Sequence, residues 1–412
     1  MRASCSLLLL VLSACNHYGF PDVPEGYREF AYVANGASNT VSVLDLVYLR
    51  QDRTLQVGPD PTGLAANPVR NEVYVVSTQP AQSAGSVAVI DTTKNAVVST
   101  IPVHRLPYFI AVDPTGHRAY VANSGSNTVS VLDLDRRRLI YTAATGEQPG
   151  LTRVAPDGRT LVVTNHGSNS VSIYDVAIPD SSKSAGALGP MATPVYSGPP
   201  LRLRASFAGC PGPTDAVILP DSSKTFVACS GGHQVMAIGL AMPAASWQVK
   251  LNPSLSSDHF LTLLDVGRTP THLALKPDGG EIFVTNFGSG SISEIDTQSN
   301  EVGGTYAIGM QPSQGVVSSD NSTLWVSNFG ADTVTLYSVE DGRVVGSLHT
   351  GAAPDALAFS ADEHLLLAAD AHSGDVAVLR TDGHQGAALF TMLPAGHSPN
   401  SIVVKANKPP KP

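Results

Sequence analysis

Charge is scarce in this chain. Lys, Arg, Asp and Glu make up 14% of its 412 residues, and the formal net charge is −9. A surface that binds nucleic acid needs a basic footprint to displace counterions. The one dense basic cluster, DRRRL at 135–139, reads as a solvated turn, so nucleic-acid partners are not expected. Runs of Ala, Leu, Glu and Lys long enough for helices are missing too. Val, Thr, Ser and Gly stand in their place, with 37 Gly and 30 Pro, a composition of short strands and tight turns. Signatures of common enzyme sites are also missing: no HExxH, GxSxG, phosphate-binding loop, CxxC, CxxCH or EF-hand loop occurs. The sequence names no cofactor.

What is present is repetition. YVANGASNTVSVLD at 32–45 returns almost letter for letter as YVANSGSNTVSVLD at 120–133. Weaker copies follow the same pattern at 74–91, 162–175, 226–239, 283–296, 325–338 and 367–380, a step of roughly 40 residues. Each hairpin has a Pro-led strand before it, such as PYFIAV, and a further strand after it, such as AVVSTI. Pro presets φ and Gly permits positive φ in the PDG and PTG turns between them. Four antiparallel strands per period mark a propeller blade. Such a sheet alone leaves both faces wet, and stacking in a ring buries them. The chain opens on a second strand, REFAYVAN, and ends on a Pro-led one, PNSIVV at 399–404. The last strand should therefore complete the first blade and remove two exposed edges. The expectation is an all-β, eight-bladed β-propeller of four-stranded antiparallel blades, one domain over residues 30–404. Seven blades would require the degenerate copy at 226–239 or at 367–380 not to form. Residues 405–412 are read as a disordered tail.

The repeat runs aromatic or aliphatic, Val, small, Asn, then Gly/Ser/Asn, then Val-x-Val-x-Asp. It resembles the YVTN repeat of bacterial propellers, the YncE-like family, whose members often have seven blades. At the start, MRASCSLLLLVLSAC has a basic residue, an apolar run too short for the roughly 20 residues a bilayer needs, and then small residues. That is the form of a secretory signal. Leu12-Ser13-Ala14-Cys15 resembles the lipobox of bacterial lipoproteins. The resemblance implies a signal peptide over 1–14, lipidation of Cys15, a tether over 15–29 and attachment to a membrane. Asn16 after the Cys leans toward the outer membrane of the cell envelope.

The recurring Asn35, Asn123, Asn165, Asn286 and Asn328 are expected to be left-handed turn residues, and Asp45, Asp91, Asp133, Asp175 and Asp296 turn-formers at the next strand end. Cys229 takes the Asn position in the fifth blade, and Cys210 precedes that blade's Pro-led strand. Propeller topology puts both on one face, and an exported protein permits oxidation, so a Cys210–Cys229 disulfide is expected. His104, His166, His233, His272, His349, His372 and His397 fall on that face; His117, His259, His364 and His384 fall on the other. Spread around a wide ring, most cannot meet, and no metal site is assigned.

The innermost strands face the channel. Just after their leading Pro they carry Asp215, Thr271, His272, Ser313, Gln314, Asp355 and Asn400, while the second to fourth blades offer Thr62, Gly63, Tyr108, Phe109, Gly150 and Leu151. A polar arc of this kind suits a small ligand. Asp215, His272, Gln314, Asp355, Asn400 and Arg153 are the candidate ligand-binding residues. Insertions at 177–200 and 241–260, the second holding Trp247, are expected between third and fourth strands of adjacent blades. The functional expectation is a non-catalytic module presenting its faces to a protein, peptide, glycan or small ligand. The alternative is an enzyme or cofactor holder, since the repeat style resembles propeller lactonases and the eight blades resemble haem-d1-type propellers. A metal-dependent lactonase would start from Asp215, His272 and Asp355.

Overall fold

The computed structural model describes residues 24–78, 83–178, 198–242, 246–382 and 386–407. The signal segment with Cys15, most of the 177–200 insertion, His384, the Trp247 side chain and the last residues of the tail lie outside what is described. Eight four-stranded antiparallel sheets form, each with its Pro-led segment as the innermost strand. The degenerate fifth and eighth hairpins pair like the others: Lys224–Cys229 with Gln234–Gly239, and Leu365–Asp370 with Asp375–Arg380. That removes the seven-blade alternative.

The two ends of the described chain close the ring. Strand β1 (Arg28–Asn35) pairs antiparallel with the last strand, β32 (Pro399–Asn407), setting Ala31 opposite Val404 and Val33 opposite Ile402. Between neighbouring blades the facing residues form separate apolar clusters. Tyr74, Val76 and Val89 of the second blade, for example, pack on Ile110, Val121 and Leu132 of the third. Burying each such side chain contributes roughly 1.5–3 kcal/mol, and each cluster ties one blade to the next, as in other repeat architectures. The 241–260 insertion does lie between third and fourth strands, where it forms a short helix, Trp247–Leu251. Asp258 at its end receives a bidentate contact from Arg204 of the fourth blade at 2.6 and 2.7 Å.

The repeat Asn behaves differently from expectation. None of the five is left-handed; the left-handed residue comes four positions later, at Asn39, Asn127, Asn169 and Asp332. The repeat Asn is fully buried instead, and its Nδ2 donates to hydroxyls five and seven residues on. Asn35 reaches Thr40 and Ser42, Asn286 reaches Ser291 and Ser293, and Asn328 reaches Thr333 and Thr335. Burial forbids leaving these donors unpaired, so the hydroxyls at fixed spacing are part of the same device. A glycine of the preceding linker lies directly against four of the five amides: a Cβ on Gly146, Gly267, Gly309 or Gly396 would approach Asn165, Asn286, Asn328 or Asn35 within 2.8 Å, while His104 takes that place before Asn123. Asp45, Asp91, Asp133 and Asp296 do cap turns through backbone N–H groups, while Asp175 pairs with Arg202 and Arg204.

The expected disulfide is present. Cys210 and Cys229 are bonded, fully buried, with Cα atoms 4.9 Å apart at a sequence separation of 19. Gly146 to Asn165, Gly267 to Asn286 and Gly309 to Asn328 span that same separation. The disulfide thus replaces, covalently, the glycine–asparagine contact of the first, fourth, sixth and seventh blades.

Candidate functional site at the mouth of the central channel

A strand with an open edge leaves N–H groups needing partners. The innermost strands present such an edge to the channel, and the polar arc supplies the partners. Asp215 Oδ2 accepts from Leu273 N at 2.9 Å, His272 Nδ1 from Gly315 N at 3.5 Å and Gln314 Oε1 from Leu357 N at 2.8 Å. Each acceptor sits two residues after its leading Pro and reaches the innermost strand of the next blade. The residue before it does the converse: Thr214, Thr271 and Ser313 donate to the carbonyls of Pro270, Ser313 and Asp355. Asn400 Nδ2 donates to Pro61 O at 2.9 Å. Much of what reads in sequence as a ligand-binding arc therefore fastens blade to blade.

The groups left over decide what the site can do. They line a cavity of about 400 Å³ at the channel mouth, in which all six candidates, Arg153, Asp215, His272, Gln314, Asp355 and Asn400, take part. Arg153 lies over the Phe109 ring at 5.3 Å, donates through Nε to Ala216 O at 3.0 Å and pairs with Asp215 Oδ1 at 3.2 Å. Its remaining N–H groups are free for a ligand oxygen, and its side chain is 36% exposed. Asp215 is nearly buried and accepts from Ala216 N as well, so both its oxygens are occupied. His272 turns Nε2 toward Asp215 Oδ2 at 3.6 Å, which places its proton there, since Nδ1 faces the Gly315 N–H. Burial holds this imidazole below its usual pKa, with Asp215 opposing and Arg153 adding to the effect. Gln314 keeps its NH₂ for a ligand.

Asp355 is the group whose chemistry stands out. Burial raises its carboxyl above the ordinary range, against the opposing hydrogen bond of the Ser313 hydroxyl. A carboxyl shifted in this direction inside a polar cavity is suited to proton transfer. The opposite wall is apolar, with Tyr108 54% exposed beside Phe109 and Leu151.

The structure connects Arg153, Asp215 and His272 in one chain of contacts and places Gln314, Asp355 and Asn400 on the same cavity without bonding them to that chain. Among the described residues no three His, Cys, Asp or Glu side chains are grouped to hold a metal ion, so Asp215, His272 and Asp355 do not form a ligand set. A haem-type group held through histidine would require an imidazole nitrogen free to point at its metal. His272, the one imidazole lining the cavity among the described residues, has both nitrogens turned to protein, so the residues present do not fit it.

The family model described as a seven-bladed β-propeller lactonase matches residues 302–403. That stretch runs from the outer strand of the sixth blade to the closing strand, and supplies Gln314, Asp355 and Asn400. No curated protein matches the chain. Among solved structures, the dihydro-haem d1 dehydrogenase NirN is similar at 15% identity with a TM-score of 0.64, over 95% of this chain and 78% of that one. A putative 6-phosphogluconolactonase from Bacteroides fragilis is similar at 15% identity and 0.58, over 94% and 100%. A protein from Lactobacillus plantarum gives 16% and 0.58, over 92% and 99%. The chain is a β-propeller; at these identities the likeness is one of fold alone.

Proposed function

We propose that the protein is a hydrolase that opens a cyclic ester, or a closely related small acyl substrate, at the mouth of its central channel. The observation that carries this is Asp355, a carboxyl raised by burial in the same cavity as a guanidinium with unused donors. The lactonase family match over the segment that supplies Asp355 supports the catalytic reading over a non-catalytic scaffold. In this scheme the ester carbonyl oxygen accepts from the free N–H groups of Arg153, which stabilise the oxyanion as it develops. Ionised Asp355 takes a proton from the attacking water as its oxygen bonds to the carbonyl carbon. The ring C–O bond then breaks, and Asp355 returns that proton to the leaving alkoxide, giving a hydroxy acid. Asp215 and the Phe109 ring hold Arg153 in place, and Gln314 orients substrate oxygens.

The test is hydrolysis of a panel of five- and six-membered lactones followed by pH-stat. Asp355→Asn should lose about 10²–10⁴-fold in kcat, the usual worth of a general base, with its thermal midpoint unchanged. The wild-type rate should climb with pH above the ordinary carboxylate range. A panel on which the protein matches buffer alone, or full activity in Asp355→Asn, rejects the reading.

A further inference from the structure

A second site on the same face shows itself by a missing side chain. Each leading Pro is preceded by a left-handed residue. In most linkers that residue's N–H is capped from the hairpin turn of the preceding blade. Asn39 Oδ1 accepts from Asp60 N at 2.9 Å, Asn127 from Gln148 at 2.9 Å and Asn169 from Gly212 at 2.9 Å. His233 Nδ1 does the same for Thr269 at 3.2 Å, and Asp332 for Ala353 at 2.8 Å.

Between the sixth and seventh blades the capping position is Gly290, at φ +65. The N–H of Gln311 then has no partner among the described residues. The linker runs too close to admit the usual Asn, because a Cβ on Gly290 would lie 2.7 Å from the Gly309 carbonyl oxygen. Here a groove of about 600 Å³ opens, lined by Arg268, Phe287, Met310 and Gln311. It shares no lining residue with the channel mouth. The Arg268 guanidinium has no ion-pair or hydrogen-bond partner among the described residues. Met310 is 60% exposed, and the Phe287 ring is backed by Phe329 at 6.3 Å.

We infer that this groove binds a small monocarboxylate with an apolar, planar body. One carboxylate oxygen accepts from Gln311 N, where five other linkers place an Asn, Asp or His acceptor; the other faces Arg268; the body lies against Phe287 and Met310. A planar guanidinium matches a carboxylate's two oxygens. One cation and one N–H between apolar side chains answer a single charge, and the chain's net charge of −9 disfavours polyanions. The linker from the eighth blade to the first acts as a control within the molecule. It also has glycine at the capping position, Gly374, yet carries Ala352, Ala371 and His397 where this one has Arg268, Phe287 and Met310.

The experiment is titration of the intact protein with sodium benzoate, read by calorimetry and by NMR line broadening, with benzamide as the neutral isostere. Benzoate should bind saturably, and benzamide at least about tenfold more weakly, the loss expected without the charge-assisted pair. Arg268→Gln should weaken benzoate by at least about tenfold, with Arg268→Lys between it and wild type. Phe287→Ala should weaken both compounds, and Asp355→Asn should leave both unchanged. Absence of saturable benzoate binding overturns the assignment. So does equal affinity in Arg268→Gln, or a changed affinity in Asp355→Asn, which would move benzoate into the channel.

Discussion

The fifth and eighth blades have both given up the buried asparagine that the first, third, fourth, sixth and seventh retain, and each has filled its place with other chemistry. Where the Asn remains, hydroxyls stand five and seven residues on to take its two amide hydrogens. The fifth blade has Gln234 and Met236 at those places; the eighth has Asp375 and Ala377. The position and its partners have changed together, as the cost of a buried unpaired donor requires. In the fifth blade a disulfide joins linker to strand. In the eighth, Asp370 Oδ2 accepts from Gly351 N at 3.0 Å, and burial first, then Asp375, pushes its carboxyl up to about 8. One contact is thus made in three ways: one answers to reductant, one to pH and one to neither.

The sharpest way to break this comparison is to cut the covalent version. Closing a loop of this length contributes about 3 kcal/mol, so Cys210→Ser/Cys229→Ser should lose about that much in urea unfolding, and wild type under reductant should match it. Restoring the common pair, Cys210→Gly/Cys229→Asn, should not recover the loss, because Gln234 and Met236 offer no hydroxyls to the new amide. Full recovery would show that the Gly–Asn contact holds without hydroxyls five and seven residues on.

The protonated version gives a smaller effect with a defined window. The folded-state pKa of Asp370 is raised from 3.8 to about 8, so the fold holds a proton there that the unfolded chain releases. Its contribution to stability is whole below about pH 4 and is lost as pH rises through about 8. Asp370→Asn has no proton to lose and should flatten that slope, gaining about 2 kcal/mol at pH 9, within the cost of a buried group left unsatisfied. Unfolding midpoints measured from pH 5 to 9 that keep the same slope in both proteins would count against it.

These substitutions also mark how far the residues alone could be read. Repeat period, turn chemistry and the unpaired strands at both ends specify blades, ring and closure, because they are local patterns repeated until only one architecture buries them. The Cys210–Cys229 pair was legible for the same reason, since topology brings two positions of one blade together. The channel arc was legible in place but not in role. Asp215, His272 and Gln314 do line the cavity, yet their backbone partners lie 43 to 58 residues away on the next blade, and only assembled blades show which donors remain. The Gly290 groove depends on an N–H left unpaired, and residue types carry no sign of that. The repeat Asn is a buried clamp rather than a turn residue, and the Ser and Thr five and seven residues beyond it are the sign of that in the sequence.

The smallest effect tests the intact clamp itself. Asn328 donates to Thr335 Oγ1 at 2.8 Å and to Thr333 Oγ1 at 3.2 Å. Thr335→Val keeps the shape and removes one acceptor, so a buried amide hydrogen loses its partner at a cost of about 1 kcal/mol. Asn328→Ala costs more but also removes the need for the hydroxyl. The double variant should therefore fall short of the sum of the two, and that shortfall in urea midpoints is the coupling. Strict additivity would mean that the spacing of Asn to hydroxyl does no joint work. In the fifth blade, Met236→Thr should bring no gain, because a hydroxyl is worth keeping there only when an amide waits for it.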